Sequence, residues 1–202
     1  MNSNQIKISE IKKDLLWMIA IAFFISSLSF VISIFFPPQL INGVISMTPI
    51  LIFLGRMQSA MFIVASTAFS IWLAEKKETI GAIGFGLLSI AYGIVLVLYI
   101  ISINSTEDLN EAFQLFSGSM FIMIPGYLVL LMFKRFKLWM RIIGLMICCF
   151  YLAENLCYLF NGSYNKYMMM IDAGGNMLTN FLSFMWAMSL VKEIRTAKQS
   201  EA

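Results

Sequence analysis

Long apolar runs alternate with short polar connections along the chain, and this pattern predicts six membrane-spanning helices. Each run has 18 to 23 residues. At a rise of about 1.5 Å per residue, such a helix covers roughly 27–35 Å, enough to cross a hydrocarbon core of about 30 Å. The predicted spans are residues 15–36, 56–74, 79–101, 116–133, 138–160 and 171–191.

The connections predict how these spans are arranged. Residues 75–78 and 134–137 are turns of four residues each, so spans two and three, and spans four and five, should form antiparallel hairpins. Residues 37–55 are too apolar for an open loop. They predict an interfacial helix or an outward extension of span two, with a helix start at Pro49. Residues 102–115 have an acidic first turn and predict an amphipathic helix leading into span four.

The distribution of basic residues predicts the orientation. Twelve of the 14 Lys and Arg residues fall on one side of the spans, which the positive-inside rule assigns to the cytoplasm. All four tryptophans fall near the same side, where an indole can keep its N–H in the headgroup layer. The chain is therefore predicted to be a single all-α membrane domain over residues 1–202, with both termini cytoplasmic.

Composition narrows the function classes. The chain is 60% hydrophobic and only 12% charged, which sets aside a soluble enzyme, a nucleic-acid binder and a disordered chain. Histidine is absent, which removes the usual general base and imidazole metal ligand. We therefore expect no cofactor and no metal, and the sequence does not favour an enzyme. Composition rich in Ile, Lys, Asn and Phe favours a bacterial cytoplasmic membrane, although acceptor tripeptides at 104–106 and 161–163 would also fit a eukaryotic secretory route.

Small and hydroxyl residues recur at helical spacing within the spans, and this pattern predicts close helix contacts. Such seams let two backbones approach closely in a membrane, where the hydrophobic effect does not drive helices together. A hydrated path lined by these residues is the functional alternative. The seams are Ser26, Ser29 and Ser33 on span one, Ser59, Ser66 and Ser70 on span two, and Ala82, Gly86, Ser89 and Gly93 on span three.

A second group of polar residues lies in the outer half of spans two, five and six. Glu154 is about 9 Å from the outer end of span five, and a carboxylate at such depth costs about 2.5–3.5 kcal/mol, so it should face protein, water or a counter-ion. Asp172 opens span six, and Arg56 opens span two. The remaining candidates for this site are Tyr151, Asn155, Tyr158, Asn176 and Asn180.

Two interpretations of this group stay open. In the first, Glu154, Asp172 and Arg56 surround an outward-facing pocket whose amides and tyrosines bind a ligand. The protein is then a small-solute or ion transporter. In the second, Glu154 and Arg56 form a structural ion pair, and Asp172 and Asn176 cap the sixth helix. The protein is then a non-catalytic accessory or regulatory protein whose small-residue seams contact a membrane partner or another copy. The lipid bilayer is the expected surrounding in both cases, and no nucleic acid is expected.

Overall fold

The structure, a computed structural model, describes residues 3–36, 39–41, 44–46, 48–98, 106–161 and 166–200. These residues form six helices and one short β-hairpin. The elements are α1 (Ser3–Ser33), β1 (Gln39–Ile41), β2 (Val44–Ser46), α2 (Pro49–Glu75), α3 (Thr79–Leu98), α4 (Thr106–Leu131), α5 (Leu138–Asn161) and α6 (Lys166–Ser200).

A helix forms at each predicted span, and five of the six are long and apolar enough to cross a membrane. These five are α1 to α5. The sixth helix is continuous, but polar residues interrupt its apolar run at Asp172, Asn176 and Asn180. Its crossing of a membrane therefore stays a prediction.

The connection before α2 corrects one prediction and confirms another. Gln39–Ile41 and Val44–Ser46 are not part of an interfacial helix, because they pair with each other as antiparallel strands. The outward extension of span two is confirmed from Pro49, where Thr48 caps α2 by accepting a 3.2 Å hydrogen bond from the Leu51 N–H. The predicted helix into span four is confirmed from Thr106 onwards. Residues 37–38, 42–43 and 99–105 lie outside the described residues.

The six helices form a closed ring in chain order. Each helix packs against its neighbour in sequence, and α6 returns to pack against α1. In the described residues, α2 and α5 do not contact each other, because they lie on opposite sides of the ring. We call the end with the 76–78 and 132–137 turns the basic end, and the end with the β-hairpin the hairpin end.

The predicted small-residue seams lie between helices of this ring. The Ser70 hydroxyl on α2 donates a 2.7 Å hydrogen bond to the Ala82 carbonyl on α3, and Thr67 and Ser89 are hydrogen-bonded at 2.5 Å. Ser26 and Ser66 are fully buried. Ser26, Ser66 and Ser70 therefore take part in packing inside the chain, whereas Gly93 has no neighbour within 4 Å of an added methyl group.

Aromatic rings fill the basic-end half of the ring. Trp186 of α6 lies 5.5 Å from Phe23 of α1, 4.7 Å from Phe85 of α3 and 5.7 Å from Phe136, measured between ring centroids. Phe69 of α2 joins the same cluster at 4.7 Å from Phe85. We call these five rings the aromatic core. They fill the interior of the bundle in its basic-end half.

Arg135 ties three elements together at the basic end. Its guanidinium donates hydrogen bonds to Glu78 in the α2–α3 turn at 2.6 Å and to Glu193 on α6 at 2.5 Å. It also stacks over Trp72 at 4.7 Å from the ring centroid. Burial alone would lower the pKa of Arg135, but the hydrogen bonds and charges of Glu193 and Glu78 outweigh it and raise that pKa. We call this group the Arg135 clamp.

Candidate functional site

Glu154 is the centre of the candidate site. It lies on α5, its side chain is 0% exposed, and neither carboxylate oxygen has a hydrogen-bond partner among the described residues. A polar group buried without a partner costs about 1–3 kcal/mol, and a charged one costs more. The fold therefore carries an energetic penalty at Glu154 that a bound proton or cation would relieve.

Asp172 is the charged neighbour of Glu154. It lies on the first turns of α6 and is half-buried. A methyl group on Gly175 of α6 would lie 2.8 Å from the Tyr151 ring of α5, so Asp172, one turn before Gly175, is on the stretch of α6 that faces Glu154. Asn176 donates a 2.7 Å hydrogen bond to Asp172 Oδ1 from one turn further along α6. Two carboxylates in mutual range repel when both are ionised. The pair is therefore arranged to attract positive charge.

A chain of three hydroxyl groups begins beside this pair. Tyr151 lies one turn before Glu154 on the same helix, α5. Its hydroxyl is hydrogen-bonded to Thr179 Oγ1 at 3.2 Å, and Tyr127 of α4 donates to the same oxygen at 3.3 Å. All three residues are at most 1% exposed. We call Tyr151, Thr179 and Tyr127 the hydroxyl chain.

The predicted site residue Asn180 has a structural position. Its Oδ1 accepts a 3.3 Å hydrogen bond from Gln58 of α2, and its amide donates at 2.8 Å to the Asn176 carbonyl. Ser27 of α1 donates to its main-chain carbonyl at 2.9 Å. Asn180 thus joins α1, α2 and α6.

Asn155 faces away from the acidic pair. Its side chain contacts α4, where Ser117 donates a hydrogen bond to its carbonyl oxygen and its amide donates to Met120 Sδ at 2.9 Å. Tyr158, one turn beyond Glu154, is half-buried on α5. The structure therefore brings together Glu154, Asp172, Asn176 and Tyr151 out of the predicted set.

Arg56 is not a hydrogen-bond partner of Glu154. It is exposed on α2, and the Glu154 oxygens are unpartnered within the described ranges. The two residues lie at similar depth, but α2 and α5 are on opposite sides of the ring. Within the described residues, the structural ion pair considered from the sequence is thus absent as a hydrogen-bonded pair.

Three residues at or beside the site were not predicted from the sequence, namely Gln58, Tyr127 and Thr179. Thr179 lies on the buried face of α6 that also carries Asp172 and Asn176, at positions i+7, i and i+4, so its spacing was an available signal. Tyr127 and Gln58 gave no such signal, because nothing in one helix shows which neighbour it will face.

Comparisons with known proteins give no match. No family model, no curated protein and no solved structure corresponds to this chain. The site's own geometry therefore carries the functional argument.

Proposed function

We propose that this protein is a small multi-pass membrane transporter that binds a proton or a small cation at Glu154. The observation that carries the proposal is the Glu154 carboxyl group, which is fully buried and has no hydrogen-bond partner in the described parts of the chain. An intramembrane carboxyl group without a structural partner is costly, and such groups mark ion or proton pathways.

Membrane insertion is supported by the surface of the ring. Large apolar side chains such as Ile21, Phe53, Ile83, Phe121 and Leu152 are more than half exposed on the outside of the bundle. A soluble monomer rarely exposes so much apolar surface, whereas lipid tails solvate it. With the basic end taken as cytoplasmic, as the positive-inside rule favours, the acidic pair is proposed to lie in the outer half of the membrane, which we propose is a bacterial cytoplasmic membrane.

The charges at the site favour a cation over an anion. Glu154 and Asp172 act on each other, and no hydrogen bond from a basic side chain reaches Glu154 among the residues described. An anion would be repelled here. A proton or a small cation would cancel the repulsion and the burial cost together.

The alternative function, an accessory protein acting through its small-residue seams, has less support. Ser26, Ser59 and Ser66 are at most 1% exposed, so the seams of span one and span two are occupied in part by contacts within the chain. On span three, Gly93 has open space beside it, which leaves one small-residue position available to a partner.

The test is cation uptake into proteoliposomes that contain the purified protein. A trapped pH-sensitive dye reports proton entry after an external acid pulse, and a parallel assay follows radioactive sodium. We expect the wild-type protein to accelerate one of the two over empty liposomes. Glu154→Gln should return that rate to the background, since the amide keeps the size of the side chain and removes its ability to bind a cation.

Glu75→Gln is the matched control. Glu75 is an exposed carboxylate at the basic end of α2, and its substitution should leave uptake unchanged. Uptake by Glu154→Gln at the wild-type rate, or wild-type vesicles that equal empty ones for both cations, would overturn the proposal.

A further inference from the structure

We infer that Glu154 exchanges protons with the basic end of the bundle through the hydroxyl chain and a single water molecule held in a cavity beyond it. This inference rests on the proposed function and deepens it, because it identifies the cation as a proton. The path comprises Glu154, Tyr151, Thr179, Tyr127, the cavity water and Arg141.

The three hydroxyl groups of the path are hydrogen-bonded to one another, whereas the Glu154 oxygens have no hydrogen-bond partner among the described residues. Tyr127 donates to Thr179, and Thr179 is within 3.2 Å of the Tyr151 hydroxyl. The three hydroxyl groups come from α4, α6 and α5, so the chain lies where these helices meet. Hydroxyl groups both donate and accept, and a hydrogen-bonded row of them can pass a proton but offers no space to a metal cation.

The second half of the path is a small cavity on the basic-end side of Tyr127. It has a volume of about 10 Å³ and is lined by Tyr127, Arg141, Trp186 and apolar neighbours. This volume holds about one water molecule, provided that two or more polar groups bind it.

Two lining residues carry the donors that such a water needs. Arg141 Nε and Trp186 Nε1 are both buried and have no hydrogen-bond partner within the described residues. Trp186 is 1% exposed. A buried N–H group without a partner is costly, and a water that accepts from it removes the cost. The water can in turn donate to the Tyr127 oxygen.

Arg141 connects the cavity to the basic end. Its Nη1 donates a 3.2 Å hydrogen bond to the Leu131 carbonyl at the end of α4. Glu154 and Arg141 are 13 residues apart on α5, which corresponds to roughly 20 Å along the helix axis. The path therefore covers about two thirds of a hydrocarbon core of about 30 Å.

The transfer conserves protons at each step. The cavity water gives a proton to the Tyr127 oxygen and takes one from bulk water at the basic end, as Tyr127 releases its own proton to Thr179. Thr179 passes its hydroxyl proton to Tyr151. Tyr151 passes its own proton to Glu154 when a side-chain rotation brings the two groups into hydrogen-bond contact, since the Glu154 oxygens have no partner among the described residues. One proton is gained by Glu154 and one is lost by bulk water at the basic end, and rotation of the three hydroxyl groups restores the starting orientation. The reverse sequence releases the proton.

The aromatic core explains why the path lies to one side. Phe23, Phe69 and Phe85 pack against one another between α1, α2 and α3. The α4–α5–α6 side carries the hydroxyl groups and the cavity instead.

The test compares Thr179→Val with Thr179→Ser in the proton-uptake assay. Valine keeps the shape of threonine and removes the hydroxyl group, whereas serine keeps the hydroxyl group. We expect Thr179→Val and Tyr127→Phe to slow proton flux by roughly an order of magnitude or more, and Thr179→Ser to retain most of the flux. Labelling of Glu154 by a hydrophobic carbodiimide, read by mass spectrometry, should persist in all three variants and shows that the acid itself is intact.

The outcomes separate this inference from the proposed function. Full flux in both Thr179→Val and Tyr127→Phe, with flux still lost in Glu154→Gln, would overturn the path and leave the function standing. Unchanged flux in Glu154→Gln would overturn both. Sodium uptake without proton uptake would also contradict the path, since a hydrogen-bonded row of hydroxyl groups offers no space to a sodium ion.

Discussion

Ser27 on the first helix donates a 2.9 Å hydrogen bond to the main-chain carbonyl of Asn180 on the sixth, and this bond helps to close the ring. The side chain of the same Asn180 accepts a hydrogen bond from Gln58 of α2. Three helices thus meet at one asparagine. The arrangement explains why Asn180 is buried although it was expected to bind a ligand.

Asn180→Ala should lower stability without affecting the function of the folded protein. The change removes two side-chain hydrogen bonds and leaves the buried Gln58 amide without one of its partners, at a cost of about 1–3 kcal/mol. Thermal unfolding in detergent measures the loss, and proton flux per folded protein should stay at the wild-type level. Thr196→Ala is the control, because Thr196 is exposed and bonds only within its own helix. Equal stability of the two variants would contradict this role.

Gly84→Ala should disturb the α3–α4 contact. A methyl group at Gly84 would lie 2.6 Å from Leu130 Cδ2 and 3.2 Å from the Gly126 carbonyl oxygen. Overpacking of this kind costs about 1–3 kcal/mol. Gly93→Ala on the same helix meets nothing within 4 Å and should be neutral or slightly stabilising. Melting temperatures of the two variants check the difference, and a harmless Gly84→Ala would show that the helices are further apart than described.

Arg135→Gln should loosen the basic end modestly. The Arg135 side chain is 29% exposed and its two partners are 32% and 38% exposed, so solvent screens each pair, and the loss should be about 1 kcal/mol in total. The difference between wild type and variant should shrink as salt is added. Denaturation at low and high salt measures it, and a difference that does not depend on salt would argue against an electrostatic clamp.

The pH dependence of the Arg135 clamp follows from the raised pKa of Arg135. A cation whose pKa is higher in the folded state contributes its stabilisation fully below its unfolded pKa and loses it only as the pH rises through the folded pKa. For an arginine, this window lies above about pH 12. Deprotonation of Arg135 should therefore not weaken the clamp between neutral pH and about pH 10. The difference in stability between the wild type and Arg135→Gln should stay constant over that range.

Glu154→Leu should raise the stability of the protein while it abolishes uptake. A buried polar group without a partner costs about 1–3 kcal/mol, and an apolar side chain of similar size removes this cost. Glu75→Leu, at an exposed position, should change stability by no more than about 0.5 kcal/mol. Opposite changes in stability and activity distinguish a functional carboxyl group from a structural one. A strongly destabilised Glu154→Leu would mean that the carboxyl group holds the bundle together.

The helices could be predicted from the sequence because a run of about 20 apolar residues is typical of a segment that satisfies all its backbone hydrogen bonds internally, as an α-helix does. The β-hairpin could not be predicted from the same pattern, since each of its strands has only three residues and is too short to show a clear alternation. The Asn42-Gly43 dipeptide between two apolar segments was the available signal, because it is typical of two-residue hairpin turns.

The site could be predicted only in part. Glu154 and Asp172 are conspicuous in the sequence, because carboxylates in apolar runs are costly. Arg56 was expected beside them because it has a similar depth, but depth does not determine the position of a helix around the ring, and α2 lies opposite α5. Thr179 and Tyr127 become visible only when three helices meet, since a hydroxyl group in an apolar helix is more often a packing residue.

Infrared difference spectroscopy of Glu154 tests the central claim most directly. Spectra of the reconstituted protein before and after a downward pH step, compared with those of Glu154→Gln, isolate the carboxyl group at this one position. The account predicts a C=O stretching band that responds to the pH step in the wild type and is missing in Glu154→Gln. Identical difference spectra for the two proteins would show that Glu154 does not exchange a proton and would contradict the account.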